Sequence, residues 1–153
     1  MLSQKAKYAL KALLVLAERE PGVPIQVIEV AEAANVPRKF LELILLELKR
    51  HGLLHSQRGK HGGHLLALSP AEITFGQVVR AVDGPLAPIP CASLNSYRKC
   101  FDCHDEKTCA VRIMMRRVRD ACAEILDGTS LAEMGVHELD SVTASIELIP
   151  HPH

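Results

Sequence analysis

The chain has no tryptophan, and aromatic residues make up only 3% of its 153 positions. That scarcity argues against a carbohydrate site or a base-stacking platform, which rely on aromatic faces. No apolar run approaches the roughly 20 residues of a membrane span. The apolar stretch nearest the start, Ala12 to Ala17, is too short for a signal peptide, and no small-residue cleavage site follows it. The expectation is a cytoplasmic protein with no membrane partner. Net charge is missing too, because 18 Lys and Arg balance 18 Asp and Glu. Taken as an average, that speaks against nucleic acid. What the chain does have is 48% hydrophobic residues, enough for a packed core and too many for a disordered chain. It also has five cysteines, an odd number. In a reducing compartment, clustered cysteines point to metal or redox chemistry rather than to disulfides.

The zero charge hides a dipole. Near Gly84 the run "DGPLAPIP" carries three prolines between Pro85 and Pro90 and reads as a linker. Residues 1–84 hold 11 Lys and Arg against 8 Asp and Glu, a surplus of three positive charges. Residues 85–153 hold 7 against 10, a surplus of three negative ones. A basic first half suits an anionic partner.

That first half has a readable order. Ser3 suits a helix cap, and Ala6, Ala9, Leu10, Leu13, Leu14 and Ala17 recur at helical steps as one apolar face. A helix ending before Pro21-Gly22 is expected. A second fits Val27 to Ala34, with Val27, Val30 and Ala31 inward. "NVP" at Asn35 to Pro37 is a turn, with Pro37 suited to a first helical position. A third helix runs to about His51, with Phe40, Leu41, Ile44, Leu45 and Leu48 as its apolar positions and Gly52 as its stop. Arg38, Lys39 and Glu42 lie outward in its first turn. Two short strands follow, Leu53 to Gln57 and His64 to Leu68. Between them Arg58, Gly59, Lys60, His61, Gly62 and Gly63 make a glycine-rich cationic tip.

Three helices with a tight turn before the third, followed by a hairpin, describe a winged helix-turn-helix. The start of the third helix meets base edges in the major groove. Glycines let the wing approach the phosphate backbone, and an arginine there can enter a narrow minor groove. The partner implied is double-stranded DNA. The competing reading is a winged helix used as a protein-interaction adaptor.

"AKYALKALLVLA", then "VPRKFLELILLELKRHGLLHSQRGKHGGHLLALSPAEITFGQVVRAVDG", resembles the winged-helix domain of the IscR/NsrR type of bacterial transcriptional regulators. The resemblance covers about residues 1–134. It implies a mainly α protein: a winged helix-turn-helix domain with a small hairpin wing, plus a long C-terminal dimerisation helix. It also implies a homodimer on a roughly palindromic operator, acting as a repressor. On the matching positions Arg38, Lys39 and Glu42 face the major groove, and Arg58 enters the minor groove. Family members often have small polar residues where Pro37, Arg38 and Lys39 stand here, so the operator sequence does not carry over.

The second half contains "CASLNSYRKCFDCHDEKTC", with Cys91, Cys100, Cys103 and Cys109. Four thiols on one short polar loop can converge on zinc or on an iron–sulfur cluster, and spacing alone does not separate the two. Nearby Arg98, Lys99 and Lys107 would favour thiolates. The resemblance implies a cluster, because cluster-binding relatives carry three cysteines in this loop, and Cys91, Cys103 and Cys109 match them best. The fourth ligand departs from the pattern. Some members use a histidine three residues after the last cysteine, where Arg112 stands here. Others use an acidic residue of the partner's first helix, where Lys7 stands here. Cys100 becomes the natural fourth ligand, with His104 as an outside candidate. The cluster type, 2Fe–2S or 4Fe–4S, stays open, as do a zinc site and a metal-free thiol switch.

After Cys109, residues Val111, Met115, Val118, Cys122 and Ile125 follow a heptad-like seam, suited to a partner helix. Cys122 falls within it and reads as core. Four parts are expected: residues 1–84, the winged domain; 85–109, the linker and sensor loop; 110–134, the dimerisation helix; and 135–153, a tail. The tail has a strand-like stretch, Thr143 to Ile149, and His151 and His153. His51, His55, His61 and His64 flank the wing as surface or phosphate contacts. No nucleophile–base pair suggests an enzyme. Cys100 and Cys103 form a Cys-x-x-Cys pair, but no thioredoxin-like pattern surrounds it.

Overall fold

The computed structural model describes residues 2–135. Thr143 to Ile149, His151 and His153 lie outside the described residues. The element order is α1 (Gln4–Ala17), α2 (Val27–Ala34), α3 (Arg38–Arg50), β1 (Leu54–Gln57), β2 (Gly63–Leu66), α4 (Phe75–Asp83), a 3-10 turn (Pro90–Ala92) and α5 (Ala110–Asp127). β1 and β2 form one antiparallel hairpin, with Leu54 opposite Leu66 and Gln57 opposite Gly63. The fold is mainly α with a winged hairpin, as the sequence implies.

Local chemistry explains the helix ends. The Ser3 hydroxyl accepts the Ala6 N–H at 3.0 Å, satisfying an orphan donor of α1. The Ser3 N–H donates to Asp83 at 2.9 Å, which joins the start of α1 to the end of α4. Between α2 and α3, Asn35 adopts φ 51 and the Val36 N–H reaches back to the Ala31 carbonyl. Pro37 then stands as the cap of α3 rather than its first residue, and its ring presets the entry angle. Gly52, at φ 73, stops α3 with a left-handed turn. Thr74 and Gln77 exchange hydrogen bonds at the start of α4.

The core lies where α1, α2, α3 and α4 meet. Ala6, Ala9 and Ala12 are buried on α1, and these small side chains let the other helices approach its backbone closely. Leu13, Leu41, Ile44, Leu45, Leu48 and Val78 fill the centre. Leu16 is buried, while Leu14 and Ala17 are only half-buried, so the face of α1 is rotated from the expected one. Phe40 departs further. It is 60% exposed and its ring meets Tyr8 edge-on, with centroids 6.5 Å apart.

α5 is shorter than the expected 110–134. It ends at Asp127, and Gly128 begins a turn back to the winged domain. There the Phe75 N–H donates to the Thr129 carbonyl, and the Leu131 N–H donates to that of Ile73, both at 2.9 Å. Leu131 is wholly buried in the winged-domain core. The Arg80 guanidinium grips the Asp127 carboxylate with two bonds, at 2.5 and 2.9 Å. A Cβ on Gly76 would lie 1.8 Å from that carboxylate, so a side chain there would push the pair aside.

Candidate nucleic-acid interface and cysteine loop

α3 buries Leu41, Ile44, Leu45 and Leu48 and turns Arg38, Lys39, Glu42 and Arg50 to solvent. Arg38 and Glu42 are tied by a 3.0 Å ion pair one turn apart. Such an exposed pair is weak, about 0.3–0.5 kcal/mol, so either partner can exchange it for DNA. A carboxylate there can accept from a cytosine amino group, and a guanidinium can bind a phosphate or a guanine edge. Lys49 Nζ donates to the Ser56 hydroxyl at 2.6 Å, joining α3 to the wing.

The wing places its expected residues in two groups. Arg58, Lys60 and His61 are exposed at the tip, where cationic side chains can follow a phosphate backbone. Gly62 and Gly63 turn inward instead. A Cβ on Gly62 would lie 2.2 Å from the Gln57 carbonyl oxygen, and one on Gly63 would lie 2.3 Å from that of Ile25. They shape the hairpin by the close approach of their own backbone. His64 also departs from the surface expectation. Its Nδ1 is buried with no hydrogen-bond partner, and burial, with help from Lys49, pushes its pKa below the ordinary value.

The cysteine loop is organised from α5. Cys109 is the residue that begins the helix, and Cys91 is buried in the 3-10 turn. The Arg112 Nε donates to the Cys91 carbonyl at 2.9 Å, and its Nη1 donates to that of Glu106 at 3.2 Å. One helical face further on, Arg119 is buried and donates to the Ala92 carbonyl, with Asp120 as its charge partner at 2.5 Å. Both arginines lie off the expected seam of α5. Their seven-residue separation, one heptad on one face, was the signal that they share a role.

The four cysteines are not drawn into one shell. Cys100 is exposed and donates to Asp102 at 3.0 Å, whereas Cys103 lies near Cys109 and Cys91. Among the described residues no three acidic, histidine or cysteine side chains stand at metal-ligand separation. The expected bias toward thiolates does not hold for two of them. The hydrogen bond to Asp102 raises the Cys100 thiol pKa, and partial burial followed by the neighbouring Cys109 raises that of Cys103. The donor set still has the chemistry of a thiolate-ligated group: soft sulfur donors on a loop anchored at Cys91 and Cys109, with the Glu106 carboxylate near Cys103.

The expected seam of α5 is uncovered within one chain except at Met115, which turns inward while Met114 takes its place on the exposed stripe. Val111 is 62% and Ile125 68% exposed, with Met114, Val118 and Cys122 exposed between them. Cys122 lies on this stripe and is exposed in the single chain. The face turned inward is Arg112, Met115, Arg119, Ala123 and Leu126. No helix among the described residues is long and apolar enough to cross a membrane.

Residues 2–137 match the family described as "Rrf2: Iron-dependent Transcriptional regulator". An rrf2-like HTH-type transcriptional regulator of Rhodobacter capsulatus is 40% identical over 137 residues, which covers 88% of this chain and 91% of that protein. The HTH-type transcriptional regulator IscR of Aliivibrio salmonicida is 30% identical over 135 residues, covering 88% and 77%. Among solved structures, CymR, the global cysteine regulator of B. subtilis, superposes with a TM-score of 0.73 at 30% identity, covering 90% of this chain and 97% of that one.

Proposed function

The chain belongs to the Rrf2 family of transcriptional regulators, and from that premise we propose a homodimeric repressor whose grip on a palindromic operator is set by an iron–sulfur cluster on the cysteine loop. The observation that carries this reading is the double attachment of α5. Its first turns hold the cysteine loop through Cys109 and Arg112, and its last residue holds the winged domain through Asp127 and Arg80. Eighteen helical residues separate the two ends by roughly 27 Å. A helix is stiff over that length, so a change in the loop's shape reaches the winged domain as a tilt.

DNA binding follows from α3 and the wing. Arg38, Lys39 and Glu42 enter the major groove, while Arg58, Lys60 and His61 take phosphates or the minor groove, with Gly62 and Gly63 shaping the tip. Dimerisation follows from the exposed seam of Val111, Met114, Val118, Cys122 and Ile125, an apolar stripe that a second copy would cover. A two-fold dimer reads two half-sites related by the same symmetry. Cys91, Cys103 and Cys109 would hold the cluster, with Cys100 as fourth ligand. A bound cluster supplies a group whose gain, loss or oxidation alters the charge and shape of the loop. A coupling of about 1–3 kcal/mol suffices for a 5- to 150-fold change in operator affinity.

The second reading keeps the DNA-binding regulator and replaces the cluster by a metal-free thiol switch. The proximity of Cys103 to Cys109 favours it, since the two lie close enough for Cys109 to raise the Cys103 thiol pKa. Anaerobic purification, visible absorption, and iron, sulfide and zinc analysis separate the readings. Iron and acid-labile sulfide in equal amounts, with operator affinity that changes on cluster loss, support the first. A colourless protein whose affinity follows thiol oxidation supports the second, and stoichiometric zinc overturns both switches. Operator binding should collapse in Arg58→Ala and Lys39→Ala together; a parent that binds no operator, with protein-partner binding that persists in that double variant, would favour the adaptor reading.

A further inference from the structure

The outward face of α3 carries two side chains that neither the fold nor the charge pattern explains. Leu43 is 66% exposed and Leu46 is 45% exposed. At 3.6 residues per turn they share a face with Lys39 and Arg50, opposite the buried Leu41, Ile44, Leu45 and Leu48. An exposed leucine gains nothing from folding, and Leu43 sits in the middle of the surface that a third helix presents to the groove.

We propose that Leu43, supported by Leu46 one turn on, reads the 5-methyl group of thymine in the major groove and so sets base preference under the third helix. The proposal rests on the DNA-binding reading above. The thymine methyl is the apolar feature of the major-groove edge, and only an apolar side chain gains by covering it. The surroundings favour duplex DNA over a protein as the occupant. Lys39, Lys49 and Arg50 surround the two leucines with positive charge, and Arg58 and Lys60 extend that field along the wing. The apolar patch is flanked by the Arg38–Glu42 ion pair on one side, and on the other by Glu47, held by Lys5, and by the exposed ring of Phe40. A protein docking there would leave those cations without partners, whereas phosphates on both sides of a groove match them. Glu42 stands one residue before Leu43, so the two offer different chemistry to neighbouring base pairs: a carboxylate for a cytosine amino group, a branched alkyl group for a thymine methyl.

The test uses the full-length protein and a randomised duplex pool. The enriched site is resynthesised with each thymine replaced singly by deoxyuridine, which removes the methyl and keeps the base pair. We expect one or two positions in each half-site to lose about fourfold in affinity, the worth of one methyl removed from water. In Leu43→Ala that thymine preference disappears, while its melting temperature stays at the parent value because the side chain is exposed. Arg58→Ala lowers affinity for thymine and uracil sites alike. An enriched site in which uracil and thymine bind equally everywhere overturns the proposal and leaves the DNA-binding reading standing. So does a Leu43→Ala variant that keeps the preference, or one that loses regulation in cells with the preference intact, which would assign Leu43 to a protein partner. Enrichment of no duplex at all defeats the DNA-binding reading itself.

Discussion

Arg112 spans the cysteine loop, donating to the carbonyl of Cys91 at 2.9 Å and to that of Glu106 at 3.2 Å. One side chain of α5 therefore holds both arms of the candidate sensor. Arg112→Ala removes two charge-assisted hydrogen bonds that lysine cannot reproduce together, since its point charge lacks the planar fork. The expected cost is about 1–2 kcal/mol in urea unfolding. Cys91, buried in the parent, should react with a thiol reagent several times faster. An unchanged labelling rate would show that the loop is held by something else.

Arg58 stands exposed at the wing tip beside Lys60. Each phosphate contact released contributes about one unit to the slope of log affinity against log salt. Arg58→Ala should weaken operator binding and reduce that slope by about one. Fluorescence anisotropy over a salt series measures both. A loss of affinity with no change in slope would remove the phosphate role.

Gly62 lies so close to Gln57 that a methyl group cannot fit without moving the strand. Gly62→Ala should cost about 1–3 kcal/mol, the usual range for backbone strain. It should also lower operator affinity, because the tip carrying Arg58 and Lys60 is displaced. Thermal melting and DNA titration together test this.

His64 links acidity to stability. Its folded pKa is depressed, chiefly by burial, so the unfolded chain takes up the proton first as pH falls. The stability is whole above the unfolded value of about 6.5 and is lost as pH falls through the folded value. His64→Phe should flatten that pH dependence, as seen in urea unfolding between pH 7.5 and 5.5. A parallel fall in parent and variant would place the acid sensitivity elsewhere.

Val118 sits in the middle of the exposed seam of α5. Val118→Asp places a charge where a partner helix would pack, and burying an unpaired carboxylate is strongly unfavourable. A homodimer should become a monomer by light scattering, with operator affinity down by more than tenfold. A parent that is monomeric at working concentration would remove dimerisation through this seam.

Much of the first half was legible in sequence. The bounds of α2, the cap of α1 and the stop at Gly52 follow from local chemistry: spacing of apolar residues, a hydroxyl before a helix, a glycine at positive φ. The cationic wing tip was legible because charge and glycine content are local properties. Phe40 was not, because helical spacing gives a stripe but not its edges, and Tyr8 of another helix decides where that ring lies. α4 also escaped explicit assignment, although the Thr74–Gln77 capping pattern marks its start. In the second half the four cysteines were visible, but their separation was not. Where a thiol points depends on Asp102, Arg112 and the turn at Pro90, none of which acts through sequence spacing alone.

Sequence by itself determined the winged helix-turn-helix order, the basic first half and the cysteine-rich loop, because each rests on periodicity, turn residues or composition within a few positions. Only the tertiary structure decided that α5 ends at Asp127, that Leu131 returns to the winged-domain core and that Arg112 and Arg119 hold the loop through backbone carbonyls. The physical reason is range. A helix end or a wing tip is fixed by neighbours within one turn, whereas a salt bridge across 47 residues or a carbonyl captured across 21 depends on how whole elements pack.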